Sequence, residues 1–167
     1  MGSHTSSALA IMNALRRIVR FLRLADREAE GAVGLSAAQL FVLQSLADAP
    51  AHSVAEVAER TLTDQSSVST VVAKLASKRL VSRRAAADDR RRVELRLTSA
   101  GEHVVRSAPR VPQTRLADAL RTMPAARREE LVRSLDVLAT AIGAHETAPH
   151  MLFEDERSRP RRARVRT

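Results

Sequence analysis

From Ala8 to Leu22 the apolar residues fall at 8, 11, 12, 15, 18, 19 and 22, the i, i+3, i+4, i+7 spacing of one helix face, with arginines at 16, 17, 20, 23 and 27 mostly off it. This predicts a long first helix, which Gly31 and Gly34 interrupt. Ser36 with Gln39 has capping-box spacing and starts a second helix through about Ala47, before Pro50. Ser53 and Glu56 repeat that spacing ahead of a short helix carrying Val54, Val57 and Ala58 and ending near Arg60. Thr63 or Asp64 then caps a fourth helix with Val68, Val71, Val72 and Leu75 as its buried stripe. Two short helices joined this tightly predict a helix-turn-helix.

Beyond Lys78 the period changes. Val93, Leu95 and Leu97 alternate with Glu94 and Arg96, which predicts a half-buried strand, with its partner at Leu80 to Arg84. The stretch from Ala85 to Arg92 is small and charged, too polar for a core, and is expected to project as a hairpin tip. Thr98, Gly101 and Glu102 open another helix, which Pro109 and Pro112 should kink or break. Pro124 suits a first helical position, and Leu131, Val132, Leu135, Leu138 and Ile142 stripe a last helix stopping near Gly143.

The expected fold is therefore mainly α with a small two- to three-stranded β wing, a winged helix-turn-helix joined to a helical dimerisation region. Residues 1–7 form a flexible N-terminus or tag remnant, 8–34 and 99–146 the helical dimerisation region, 35–98 the winged helix-turn-helix, and 147–167 a basic disordered tail.

Charge narrows the partners. The chain carries a formal +9, and residues 154 to 167, with six arginines against three acids, account for +3 of it, leaving +6 for residues 1 to 153. A basic body attracts polyanions. Cysteine is absent, which excludes disulfides, thiolate zinc sites and thiol redox chemistry. No apolar run reaches the roughly 18 residues of a membrane span, and no signal peptide is evident, so the expected location is the cytoplasm without membrane association.

The candidate chemistry lies on the fourth helix and the hairpin. Gln65, Ser66, Ser69, Thr70 and Lys74 fall outside the buried stripe, and small hydroxyls permit close approach to base edges. The plainer alternative is a solvated helix face. The basic run Arg90, Arg91, Arg92 follows at the hairpin tip, where an arginine can enter a narrow minor groove, and Asp89 stands two residues before Arg91, close enough to orient its guanidinium. The alternative there is a solvated charge run.

The run Asp89-Arg90-Arg91-Arg92-Val93-Glu94-Leu95-Arg96-Leu97-Thr98-Ser99-Ala100-Gly101 resembles the wing signature of the MarR family: Asp-x-Arg, an alternating strand, then Leu-Thr-x-x-Gly. Val68-Ser69, Leu75 and Leu80-Val81 are similar to that family's recognition-helix pattern, and the likeness in element order spans about residues 8 to 144. The resemblance implies a homodimeric transcription factor reading a pseudo-palindromic operator, a repressor released by a small-molecule effector. It implies dimerisation through the first and last two helices. It also implies Arg91 as the minor-groove arginine with Asp89 as its brace, and Ser66, Ser67, Ser69, Thr70 and Lys74 toward the major groove. Arg83, on the first wing strand, matches a position that touches DNA or an anionic effector in some relatives. Thr70 stands where relatives often have arginine, and Arg79 where many have glycine at a left-handed helix end. Either the helix ends differently at Arg79 or strain is tolerated there.

An effector in this family, frequently small, aromatic and anionic, sits between the dimerisation and winged regions. The candidates here are Arg16, Arg20, Phe41 and Gln44, with dimer-surface arginines and core packing as the plainer account. The aromatic residues are Phe21, Phe41 and Phe153, so recognition by stacking is limited. His145 and His150 stand five apart with Pro149 between them, unlike the helical zinc-protease spacing; no metal, cofactor or catalytic constellation is predicted. A winged-helix module binding protein or RNA, with weak non-specific DNA affinity, is the competing functional class.

Overall fold

The computed structural model describes residues 2–85, 93–144 and 151–152. Its elements run α1 (Gly2–Val33), α2 (Ala37–Asp48), α3 (Val54–Thr61), α4 (Gln65–Ser77), β1 (Val81–Ala85), β2 (Val93–Leu97), α5 (Ser99–Ser107), α6 (Pro112–Thr122) and α7 (Ala125–Ala141). It is a mainly helical, winged helix-turn-helix fold. β1 and β2 pair antiparallel with Val81 opposite Leu97 and Ala85 opposite Val93. A third short contribution comes from Ala51, which exchanges backbone hydrogen bonds with Leu95 at 3.1 and 2.7 Å.

Local chemistry sets the helix starts. Ser36 Oγ accepts from the Gln39 N–H at 3.3 Å, and Asp26 of α1 adds a second acceptor, for the Ala37 N–H at 2.8 Å. The Gln39 side chain does not close the expected capping box, because its Oε1 faces Lys78 Nζ at 3.5 Å. Ser53 Oγ accepts from the Glu56 N–H at 3.1 Å, and Glu56 Oε2 reaches back to the His52 N–H at 2.7 Å, one residue before the capping position. That bond, ahead of the pairing with Arg60, holds the Glu56 carboxyl below the usual carboxylate range.

α2 is buried at every position from Ala37 to Leu43, and so packs as the central helix of the core. Around it lie Val57 of α3, Val68, Val71, Val72 and Leu75 of α4, and Leu95 of β2, each at most 1 % exposed. Thr98 joins wing to helix. Its hydroxyl donates to the Arg79 carbonyl at 2.7 Å and accepts from the Gly101 N–H at 3.1 Å. A Cβ at Gly101 would overlap the Leu80 carbonyl oxygen, so this crossing requires glycine.

Several expectations need correction. α1 begins at Gly2, not Ala8, and passes through Gly31; the chain turns only at Gly34, whose φ is +67°. Glycine in a helix weakens it without ending it. Of the two outcomes expected at the prolines, the helix after Thr98 breaks, and Pro112 becomes the first residue of a separate α6. Pro124 caps α7 instead of lying inside it. Met151, expected in a disordered tail from Thr147, is buried in the core cluster.

The apolar face of α1 divides along its length. Leu22 and Ala29 are buried, whereas Ile11, Ile18 and Val19 are exposed. On α7 no residue is buried, and Val132 and Leu135 are 53 % and 47 % exposed.

Candidate nucleic-acid interface

α3 and α4 meet at a turn shaped by Leu62, which takes a left-handed conformation (φ +52°). There the Leu62 N–H bonds the Glu59 carbonyl and the Thr63 N–H the Ala58 carbonyl, satisfying the end of α3. Asp64 follows as the cap of α4. Its Oδ1 accepts from the Ser66 hydroxyl at 2.5 Å and the Ser67 N–H at 2.9 Å. The Ser66 hydroxyl bond is the largest cause, with the Ser67 N–H second, of a carboxyl pKa lowered to about 2.

α4 buries Val68, Val71, Val72 and Leu75 and presents Gln65, Ser66, Ser69, Thr70, Ala73 and Ser77 to solvent. Lys74 flanks that face, half-buried. Ser67 does not belong to it. It is 3 % exposed and stands one and two turns before Val71 and Leu75, inside the buried stripe. The spacing 67, 71, 75 is legible in the sequence, so the expected outward role of Ser67 is corrected by helical geometry alone. Ala73 is the converse case, an exposed residue at the middle of the polar face that a search for polar side chains passes over.

The end of α4 resolves the question at Arg79. Its φ is +58°, with the Arg79 N–H bonded to the Ala76 carbonyl at 2.9 Å and the Leu80 N–H to the Leu75 carbonyl at 3.0 Å. That is a Schellman ending with arginine at the left-handed position, so the strain is tolerated. It aims the chain directly into β1.

On the wing, Arg83 is exposed and opposite Leu95. Arg96 on β2 is exposed and bonded to Glu94 by Nε at 2.7 Å and Nη2 at 2.9 Å, which raises its pKa. Asp89, Arg90, Arg91 and Arg92 lie outside the described residues. His145 and His150 do as well; among the described residues no group of three or more His, Cys, Asp or Glu is placed to hold a metal.

A cleft of about 470 Å³ opens between α2, the end of α3 and the α5–α6 region. Phe41, Gln44, Arg60, Arg110, Asp118 and Arg121 are among its lining residues. Phe41 and Gln44 thus line the same cleft, with Phe41 only 7 % exposed. Gln44 clamps the α5–α6 linker, donating to the Pro109 carbonyl at 2.8 Å and accepting from the Val111 N–H at 3.2 Å. Arg16 and Arg20 are not in the cleft. They sit on the exposed surface of α1, with Arg16 bonded to Asn13 at 3.1 Å. The cationic groups at the cleft are Arg60, Arg110 and Arg121 instead. Arg60 donates to the Ala49 and Pro50 carbonyls at 2.5 and 2.8 Å and pairs with Glu56, while Arg121 donates to the Arg60 carbonyl.

The sequence model of the MarR family matches residues 33–92. Among solved structures, the transcriptional regulator BldR from Sulfolobus solfataricus is 25 % identical, with 82 % of this chain and 97 % of that chain covered and a TM-score of 0.52. A MarR family transcriptional regulator from Streptomyces coelicolor is 23 % identical over 83 % of this chain and 96 % of its own, with a TM-score of 0.53. A mutant MarR from E. coli, solved in complex with operator DNA, is 22 % identical over 80 % of this chain and 95 % of its own, with a TM-score of 0.51. No curated protein sequence matches the chain.

Proposed function

We propose that the chain is a homodimeric, sequence-specific DNA-binding transcriptional regulator, a reading supported by the match of residues 33–92 to the MarR family model and by a fold like that of solved transcriptional regulators. One observation carries the reading. α4 presents a face of small side chains, hydroxyls around Ala73, directly opposite its buried stripe, and its Schellman ending leads straight into the antiparallel wing. A face of that size and polarity suits the major groove, and the basic residues Arg90 to Arg92 between the wing strands suit phosphates and the minor groove.

The homodimer is supported by the uncovered apolar residues of α1 and α7. A stripe with helical period left uncovered among the described residues suits association with a second copy, and two-fold pairing is the commonest outcome. Repression relieved by a small ligand is supported by the cleft itself, where Arg110 and Phe41 both line the space and could meet a ligand with an anionic group and an apolar part.

The test is a specificity ratio. Fluorescence anisotropy at physiological salt should show the protein's preferred duplex, selected from a random pool, bound at least about 10³-fold more tightly than random duplex. Equal affinity for both, or preference for single-stranded RNA, would place the protein in the class of general interaction modules.

A further inference from the structure

We infer that α4 discriminates base pairs mainly through methyl contacts, with Thr70 and Ala73 recognising thymine 5-methyl groups in the major groove. The inference rests on the DNA-binding reading above. It concerns which chemical feature of DNA the helix reads.

The argument begins with where the hydroxyl protons go. The exposed face holds three hydroxyls that already donate within the protein: Ser66 to Asp64 Oδ1 at 2.5 Å, Thr70 to the Ser66 carbonyl at 3.2 Å, and Ser77 to the Lys74 carbonyl at 2.8 Å. A hydroxyl has one hydrogen, so while these bonds hold each of these groups meets a base as an acceptor. Asp64 keeps the Ser66 proton engaged firmly, since its carboxylate is stabilised by that same bond.

Thr70 changes character as a result. With its Oγ1 turned back onto the preceding helical turn, its Cγ2 methyl is the group left for an approaching partner. Ala73 lies next to it, three residues on and also exposed, and offers only a methyl. These two are adjacent on the face opposite the buried Val68, Val71 and Val72. Among the described residues, Ser69 and Gln65 keep uncommitted polar groups at the near end of the face, and Lys74 flanks it.

The centre of the face is therefore apolar and closely approachable, and its edges are polar. In the major groove the apolar feature that distinguishes one base pair from the others is the 5-methyl of thymine, for which alanine and the threonine methyl are natural contacts. No arginine or lysine stands at the centre to take the O6 and N7 of guanine. The half-site read by α4 should contain at least one thymine whose methyl meets Thr70 or Ala73.

Deoxyuridine substitution tests this directly, because uracil pairs as thymine does and lacks only the methyl. The preferred duplex selected from a random pool is resynthesised with each thymine in turn replaced by deoxyuridine, and its affinity for the full chain is measured at fixed salt. Replacement at one or more half-site thymines should weaken binding roughly fourfold, about the effect of one buried methylene. Thr70→Ser, which keeps the hydroxyl and removes the methyl, or Ala73→Gly should abolish that sensitivity at its own thymine, with circular dichroism confirming that each variant is folded. If uracil is tolerated everywhere, or if both variants keep the full sensitivity, the proposal is overturned while specific binding stands. If selection yields no preferred duplex, the DNA-binding reading fails and this inference falls with it.

Discussion

Residues 35–98 and the helices α1 and α7 contain the same kind of apolar periodicity, yet they resolve it differently. In α2 and α4 the stripes meet each other, and Leu40, Val42, Val68 and Leu75 are at most 1 % exposed. On α7, and on the N-terminal half of α1, stripes of comparable spacing are left largely uncovered among the described residues, and Leu135 and Ile18 remain nearly half exposed. An amphipathic helix needs cover, and a period cannot specify whether its own chain or another supplies it. The winged region should therefore have a stability of its own, whereas that of the helical arms should depend on protein concentration.

Leu75→Ala gives the largest effect in the first region. The side chain is fully buried, and its loss should lower the unfolding free energy by about 2 to 5 kcal/mol, measured by urea denaturation, to the same extent at low and high protein concentration. A concentration-dependent loss would mean that this core is completed by a second copy. Leu135→Asp probes the opposite region. An aspartate at the centre of the α7 stripe should weaken self-association about 100-fold or more, seen by sedimentation velocity, while leaving the helical signal largely intact. Unchanged association would show that α7 is not the contact surface.

Smaller effects sharpen the account of the reading surface. Asp64→Ala removes the cap of α4 and should cost about 1 kcal/mol. The pH dependence of this contribution has a definite sign. The folded carboxyl is depressed to about 2 from the model-compound value of 3.8, so its stabilisation is present above 3.8 and is lost as the pH falls through 2. Asp64→Asn, which retains a capping oxygen without the titration, should remove the part of the acid sensitivity between those values; the comparison is a denaturation series from pH 5 to pH 2. Smallest is Arg79→Gly. Glycine relieves the left-handed φ of +58° but gains freedom in the unfolded chain, so stability should rise by roughly 0.5 to 1 kcal/mol. A decrease would show that the arginine side chain contributes more than its backbone strain.

Features decided by near neighbours were legible in the sequence. Ser36, Ser53 and Thr98 cap where short-range chemistry places them, Asp64 is the one of two candidates that caps α4, and the two-residue period of Val93, Leu95 and Leu97 marks a strand. The glycine of Leu-Thr-x-x-Gly has a physical cause in the Leu80 carbonyl packed against it, though that cause appears only once the chain is folded. Gly31 and Gly34 look alike in sequence. Only Gly34 turns the chain, because helix continuation at a single glycine depends on what the rest of the helix packs against.

The sequence alone determined the order of elements through the wing, the buried stripe of α4 and the largely polar character of its other face, since each depends on helical or strand periodicity within a few residues. Tertiary structure decided which side chains are free to act. It brought Arg60, Arg110 and Arg121 to the cleft with Phe41 and Gln44, tied Arg60 and Arg121 to backbone carbonyls there, and left Arg16 and Arg20 on the outside of α1. The physical reason is that a side chain's availability depends on groups brought near it by folding, and on protons already committed to other acceptors, neither of which a periodic pattern records.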